Sequence, residues 1–518
     1  MADGNNLEQP AAGASADGGQ ERRTGRLRNR LVAVGVALAV LVPLAYLWAT
    51  SLVPDEYSAT GMGFADYGGG PGASSSEHDH HGGKSVVDLT GPRAGTPDVA
   101  LTLTAREQRF TLATGQSVDG YTLNGTSPGP LIRAVQGDLV EVTLVNESVA
   151  DGATLHWHGI DVPNAEDGVA GVTQDAVPVG GKHVYRFRAE QAGTYWYHSH
   201  QVSSEQVRNG LFGTIVISPR AAPAGPSAQG SRGTEDRDLV AAIHTYDDRR
   251  TINGRTGSSR EDVAAGTRLR VRIVNTDNAL VRTGLVGAPV KVLAVDGQDL
   301  NGPTPTTDAF PLAAGARVDL DVTIPPTGVR LEAGGGSLAL APPGVEAPAD
   351  PLPSATVDLL SYGSPAPLAL DPAKADRAFE YRIGRRPGFL DGVPGLWWTI
   401  NGHKFPDVPM YMVTEGDVVT MTISNSSGQS HPMHLHGHHA VVLSRNGVKS
   451  TGTPWWVDTL EVGDKETYEI AFTADNPGLW MDHCHNLPHA SEGLMTHLMY
   501  EGVSTPYVVG GSAGNEPE

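Results

Sequence analysis
Residues 123–146 read LNGTSPGPLIRAVQGDLVEVTLVN: an Asn-Gly pair, a later Gly, then an alternating apolar run that closes on Asn. The pattern returns at 252–275 as INGRTGSSREDVAAGTRLRVRIVN and at 400–425 as INGHKFPDVPMYMVTEGDVVTMTISN. From the turn Asn to the second Gly is 13, 13 and 15 residues (Asn124 to Gly137, Asn253 to Gly266, Asn401 to Gly416). From that Gly to the closing Asn is 9 residues in all three, ending at Asn146, Asn275 and Asn425. Alternation with period two marks a half-buried strand. Short strands punctuated by Gly, Pro and Asn argue for β-sandwich domains. Pro-rich stretches at 218–231 and 340–353 separate the copies. The expectation is an all-β chain holding three similar sandwiches at 95–220, 236–363 and 375–505.

Composition agrees. At roughly 150 residues per domain, 518 residues suggest three or four domains. The net charge of −21 argues against nucleic acid as a partner and favours cations such as metal ions, an acidic surface that only aids solubility being the plain alternative. With one cysteine, Cys484, the chain has no intramolecular disulfide; that thiol is an inert core group, a reactive one or a metal ligand.

The N-terminus carries targeting information. Residues 1–30 are polar and end in RRTGRLRNR, and 31–49 are uninterrupted apolar residues, LVAVGVALAVLVPLAYLWA. Nineteen residues at about 1.5 Å each nearly span a ~30 Å hydrocarbon core. Arginines stay cytoplasmic, so everything past about residue 50 is expected outside the membrane. A cleaved signal peptide competes, but no A-x-A cleavage site follows and the run is long for an h-region; an uncleaved anchor in the cell membrane is the reading taken. Residues 50–94 read as a flexible linker. Within it, His78, His80 and His81 in EHDHHGG are either a weak metal-capturing tract or plain solvated linker.

The 19 histidines are unevenly placed. The first repeat has HWHG (His156, His158) and GTYWYHSH (His198, His200). The third has HPMHLHG (His431, His434, His436) and GLWMDHCH (His483, His485), then His489; the middle repeat has only His244. Residues i and i+2 of a strand share a face, so each His-x-His pair presents two imidazoles together. If sandwiches 1 and 3 pack face to face, four pairs converge as eight neutral nitrogens. The middle residues Trp157, Ser199, Leu435 and Cys484 then face the other way. His431 and His489 complete a second centre around Cys484. Two His and one thiolate with a weak or absent axial ligand is the blue-copper electron-transfer arrangement. Structural zinc sites use more sulfur. His183, His244, His403, His438, His439 and His497 read as structural.

These motifs (HxHG, HxH, HxxHxH and HCHxxxH) resemble those of the multicopper oxidases in their three-domain, laccase-like form, over residues ~95–505. The resemblance implies three cupredoxin-like Greek-key domains and four coppers. By motif position, type 1 copper takes His431, Cys484 and His489; type 2 takes His156 and His434; the type 3 pair takes His158, His198, His200, His436, His483 and His485. The family's axial position falls on Leu494, which cannot coordinate, with Met495 beside it as the alternative. Asp167 in NAEDG matches an acidic residue that assists proton delivery to oxygen. A second proton donor is unassigned, Asp482 and Glu492 being near in sequence only.

The implied activity is one-electron oxidation of a small reductant at type 1 copper coupled to reduction of dioxygen to water, with a phenolic or aromatic reductant expected. A metal-ion oxidase acting on Cu(I) or Fe(II) and a non-enzymatic copper-binding surface protein are the competing readings. Met410, Met412, Met421 and Met433 read as core. The HCH motif argues against a copper nitrite reductase, whose blue-copper Cys lacks a following His for a type 3 pair.

Overall fold
The computed structural model describes residues 18–69, 83–220 and 237–518. It divides into two units, Met1–Val53 with Pro387–Gly395, and Pro54–Arg386 with Leu396–Glu518.

The first unit holds the helix Gly18–Ala49. Its portion Arg26–Ala49 is long and apolar enough to cross a membrane, and its side chains are exposed. The chain leaving it meets the turn at 391–392, where the Asp391 N–H donates to the Ser51 carbonyl at 2.8 Å.

The second unit is three two-sheet sandwiches, each organised by the repeated sequence in the same way. The first strand of each sandwich lies parallel to the strand before the closing Asn, with Ala105 opposite Asn146, Ile243 opposite Asn275 and Ile383 opposite Asn425. The turn asparagines Asn124, Asn253 and Asn401 take left-handed φ values of 55°, 53° and 54°, as an Asn-Gly type I′ turn demands. Each then clips the first strand with its side chain. The Asn124 amide accepts from Thr104 N–H and donates to the Thr102 carbonyl; Asn253 does the same with Ala242 and Val240, and Asn401 with Arg382 and Glu380. The closing asparagines are buried and donate to loop carbonyls, those of Val149 and Val177, of Leu312 and Ala313, and of Gln429 and Val462.

In the first sandwich, the sheet Ser117–Leu123, Val99–Thr111, Leu139–Asn146, Lys182–Arg188 packs on Ile132–Val135, Phe212–Ser218, Gly193–His198, His156–His158. Trp157 lies in its core. In the third sandwich the strands Met495–Tyr500, Leu479–Cys484, His431–Leu435 and Thr459–Val462 lie side by side in one sheet, and Cys484 lies in that sandwich's core. Inward Trp157 and Cys484 leave their neighbouring histidines on the outer faces.

The segment expected as a flexible linker differs. Where described, it packs on the third sandwich: Phe64–Asp66 adds to one of its sheets, parallel to Pro409–Val413, while Glu56–Tyr57 with Val509–Gly510 and Lys84–Ser85 with Val503–Ser504 form separate two-stranded pairs. Ala59, Met62 and Val86 join its core. Backbone pairing with distant segments orders a stretch whose Gly, Ser and Asp content carries no strand pattern. His78, His80 and His81 lie outside the described residues.

Candidate metal centre
The two histidine-bearing sandwiches interleave their imidazoles. His158 and His156 sit opposite Trp196 and His198 in one sheet, and His434 sits opposite His483 in the other. Across the gap His156 stacks on His436 with ring centroids 3.8 Å apart, and His158 on His434 at 3.7 Å. All eight imidazoles are buried. Their ligand atoms form three groups, each within 4.8 Å: His156, His158 and His434; His158, His198 and His485; His200, His436 and His483.

This cage fits metal ions on its own evidence. Nε2 of His156, His198 and His434, Nδ1 of His158 and His200, and both nitrogens of His485 are buried with no hydrogen-bond partner. Such orphaned groups are costly and rare in a folded protein. The Nε2 atoms of His200 and His436 lie 3.3 and 3.2 Å from Nε2 of His483. Burial first, and then the neighbouring imidazoles, hold His200, His436 and His485 well below the usual histidine range. Burial also pulls His483 down to about 4. The result is a dry set of neutral nitrogens whose lone pairs converge, the donor set of a cationic metal.

The remaining ring nitrogens are held by neighbours, which fixes each ring's orientation. Asp167 is 1% exposed; one carboxylate oxygen accepts from His436 Nδ1–H at 3.0 Å, and its carbonyl lies 2.9 Å from His156 Nδ1. Its other oxygen, 3.1 Å from His156 Nδ1, has no hydrogen bond. Asp458 holds the opposite side, 3.2 Å from His158 Nε2 through its carboxylate and 2.9 Å from His434 Nδ1 through its carbonyl.

The second centre lies inside the third sandwich. Cys484 Sγ is 3.6 Å from His431 Nδ1 and 3.8 Å from His489 Nδ1, and those nitrogens are 3.1 Å apart. Ser427 and Asn486 engage the outer nitrogens of the two rings. Burial lifts the thiol well above its ordinary value without a metal, and lowers His431 to about 3, helped by His489 and Arg385. Leu494 is fully buried on the Cys484 side, its carbonyl accepting from Cys484 N–H at 3.0 Å. Met495 sits opposite His483 and so shares that residue's face.

Several residues here carry no sequence signal. Trp398 packs 4.7 and 4.4 Å (ring centroids) from His431 and His489 and donates from Nε1 to Glu492 at 2.7 Å. That bond places Glu492 beside the thiol centre and away from the cage. Asp482, which burial pushes up to about 8, stands opposite Thr496 and Leu435. Arg317, from the middle sandwich, grips Asp458 through both Nη atoms at 2.7 and 2.6 Å. His439 makes buried ion pairs: burial opposes its charge, yet Asp161 and Asp458 raise it to about 10. The Gly of HWHG is explained too, since a Cβ on Gly159 would lie 2.1 Å from Arg317 Nη2. The contacts of Arg317 with Asp458, His439 with Asp161 and Gly159 with Arg317 carry no sequence signal because each joins different sandwiches, and those of Trp398 because they join segments far apart in the third sandwich.

A buried eight-imidazole cage bonded through one backbone stretch to a His-Cys-His centre defines a copper redox protein. Comparison with known proteins agrees. Multicopper oxidase family models match residues 104–222 and 379–502. The chain is 31% identical over 464 residues to Laccase-1 of Melanocarpus albomyces, covering 73% of this chain and 74% of that one. It is 29% identical to the multicopper oxidase MmcO of Mycobacterium tuberculosis, covering 80% and 89%. A multicopper oxidase structure from Pseudomonas thermotolerans superposes with a TM-score of 0.60 at 28% identity, covering 77% and 98%. The chain belongs to the multicopper oxidase family. It is a copper-dependent oxidoreductase with oxygen as acceptor, built of cupredoxin-like sandwiches.

Proposed function
We propose that the enzyme oxidises small phenols or aromatic amines one electron at a time and reduces dioxygen to water, O2 taking up four electrons and four protons. In this reading His431, Cys484 and His489 hold type 1 copper, His156 and His434 type 2, and the other six cage histidines the type 3 pair. Bound copper supplies one-electron redox chemistry at both centres. The chain supplies the path, because Cys484 is covalently continuous with His483 and His485 on either side. It also excludes water from the cage, where all eight rings are at most 1% exposed. Asp167 supplies protons: one carboxylate oxygen holds His436 while the other, unbonded, lies beside the cage residue His156. Leu494, buried beside Cys484, carries no donor atom, which would raise the reduction potential relative to a thioether at that position.

The observation that carries the choice of reductant is a cleft of about 230 Å³ that reaches His489. It is lined by Asn278, Ala279, Leu280, Pro432 and Glu461 among others. Glu461 presents a buried oxygen without a partner, and burial raises its carboxyl, which suits a single hydrogen bond to a hydroxyl or amine. A metal-ion reductant would want several oxygens; among the described residues, Glu461 belongs to no group of three metal-binding side chains. The apolar helix Arg26–Ala49 acts as an uncleaved anchor, with the sandwiches outside the cytoplasm.

The test is oxygen uptake by the copper-loaded enzyme with a phenol, Fe(II) or Cu(I), with Cys484→Ser as blank. Uptake dominated by the phenol is expected. Uptake dominated by either metal ion would make this a metal oxidase, and none at all would reduce it to a copper-binding protein.

A further inference from the structure
One buried group in the third sandwich has no part in the chemistry above. His497 is 2% exposed and neither ring nitrogen has a hydrogen-bond partner, although buried polar groups are nearly always paired. Sheet register shows what surrounds it. His497 stands opposite Met481 on one neighbouring strand and Met410 on the other. Opposed residues of adjacent strands point to one face with Cβ atoms about 4.5–5.5 Å apart, so a thioether flanks the imidazole on each side. The same face continues with Met499 opposite Met412, and with Met495 opposite His483. Five of the chain's nine methionines thus share this face with His497, all of them buried. The cage residue His483 lies on it as well, two residues beyond Met481 and near enough for His497 to disfavour its protonation.

Methionine alone would be ordinary core filling. Packing does not account for an unpaired imidazole at the centre of the methionine row. We propose that His497, Met410 and Met481 form a further metal site that takes one soft monovalent cation, Cu(I). Imidazole and thioether donors select Cu(I) by softness. All three are uncharged, so a dry pocket accepts a single positive charge more readily than a double one. The site is separate from the four copper positions and adjoins the cage through His483.

Ag(I), a redox-silent monovalent probe, tests it. The full-length, copper-loaded enzyme is exposed to Ag(I), desalted, and its metals counted. The native chain is expected to retain one more silver per chain than His497→Leu or the double variant Met410→Leu, Met481→Leu. Blue absorption and copper content should be equal in all three. Removing an unpaired polar group does not endanger folding in His497→Leu, and X-ray absorption of the bound silver should show sulfur and nitrogen neighbours. Equal silver in native and His497→Leu chains, or none in either, overturns the proposal.

Discussion

The sharpest single test concerns Asp167, where two substitutions separate proton supply from ring positioning. In Asp167→Asn the amide oxygen still accepts from His436 Nδ1–H, now 3.0 Å away, and the backbone carbonyl still reaches His156. Both rings should keep their orientation, so copper content and blue colour should match the native enzyme. The oxygen that now lies unbonded 3.1 Å from His156 Nδ1 becomes part of a group that cannot exchange a proton. General acid–base groups contribute roughly 10²–10⁴-fold, so oxygen reduction should slow by that order. Asp167→Ala differs because it strands the His436 N–H in a buried site. That costs about 1–3 kcal/mol, and loss of such a ring partner weakens metal affinity by about 10–100-fold. The assay is stopped-flow: the enzyme is reduced without oxygen, mixed with oxygenated buffer, and the return of blue absorption followed beside metal analysis. Native-rate return in Asp167→Asn would remove Asp167 from proton delivery.

Three further outcomes are expected. Arg317→Leu leaves the Asp458 carboxylate buried without its bidentate partner, which should cost about 3–5 kcal/mol; a drop in thermal midpoint with lower copper occupancy checks it, and an unchanged midpoint refutes it. His439 titrates at about 10 in the fold against about 6.5 unfolded. Its charge therefore stabilises fully below pH ~6.5 and is lost as pH rises through about 10, so the thermal midpoint should fall across that window and fall less in His439→Gln. Leu494→Met places a thioether on the Cys484 side of the sheet and should lower the type 1 reduction potential in a redox titration; Met495→Leu should leave it unmoved.

The repeats were legible because their signals are local. An Asn-Gly turn, a fixed run and a closing Asn describe a backbone geometry that the next few residues complete, and the side-chain clips of Asn124, Asn253 and Asn401 are that geometry in hydrogen bonds. The cage was legible for the same reason: His-x-His fixes two rings to one face wherever the strand goes. Asp458 and Arg317 were not, because their roles depend on which face of another sandwich they meet, and Trp398 was not, because it meets His431, His489 and Glu492 only once the third sandwich is folded. The segment 54–69 misled for the converse reason. Its order comes from backbone pairing with the distant segments Pro409–Val413 and Val509–Gly510, which leaves no periodicity to read.

The middle sandwich poses the remaining question, since its only histidine, His244, binds Thr276 and the Arg208 carbonyl. Its contribution is a wall and a charge. A Cβ on Gly315 would sit 2.9 Å from both His158 and His485, so this backbone closes the cage where any side chain would displace two imidazoles. The Gly315 carbonyl accepts from Trp196 Nε1 at 3.1 Å, and two residues on, Arg317 donates to the Thr194 carbonyl and to Asp458. One short turn thereby touches both histidine-bearing sandwiches and supplies the cation that keeps Asp458 ionised against burial. An ionised Asp458 accepts from His158 and so leaves Nδ1 of that ring facing the cage. The second repeat, without cage histidines of its own, is therefore not a spacer. It contacts both of the other copies where their imidazoles interleave, and the cage depends on those contacts.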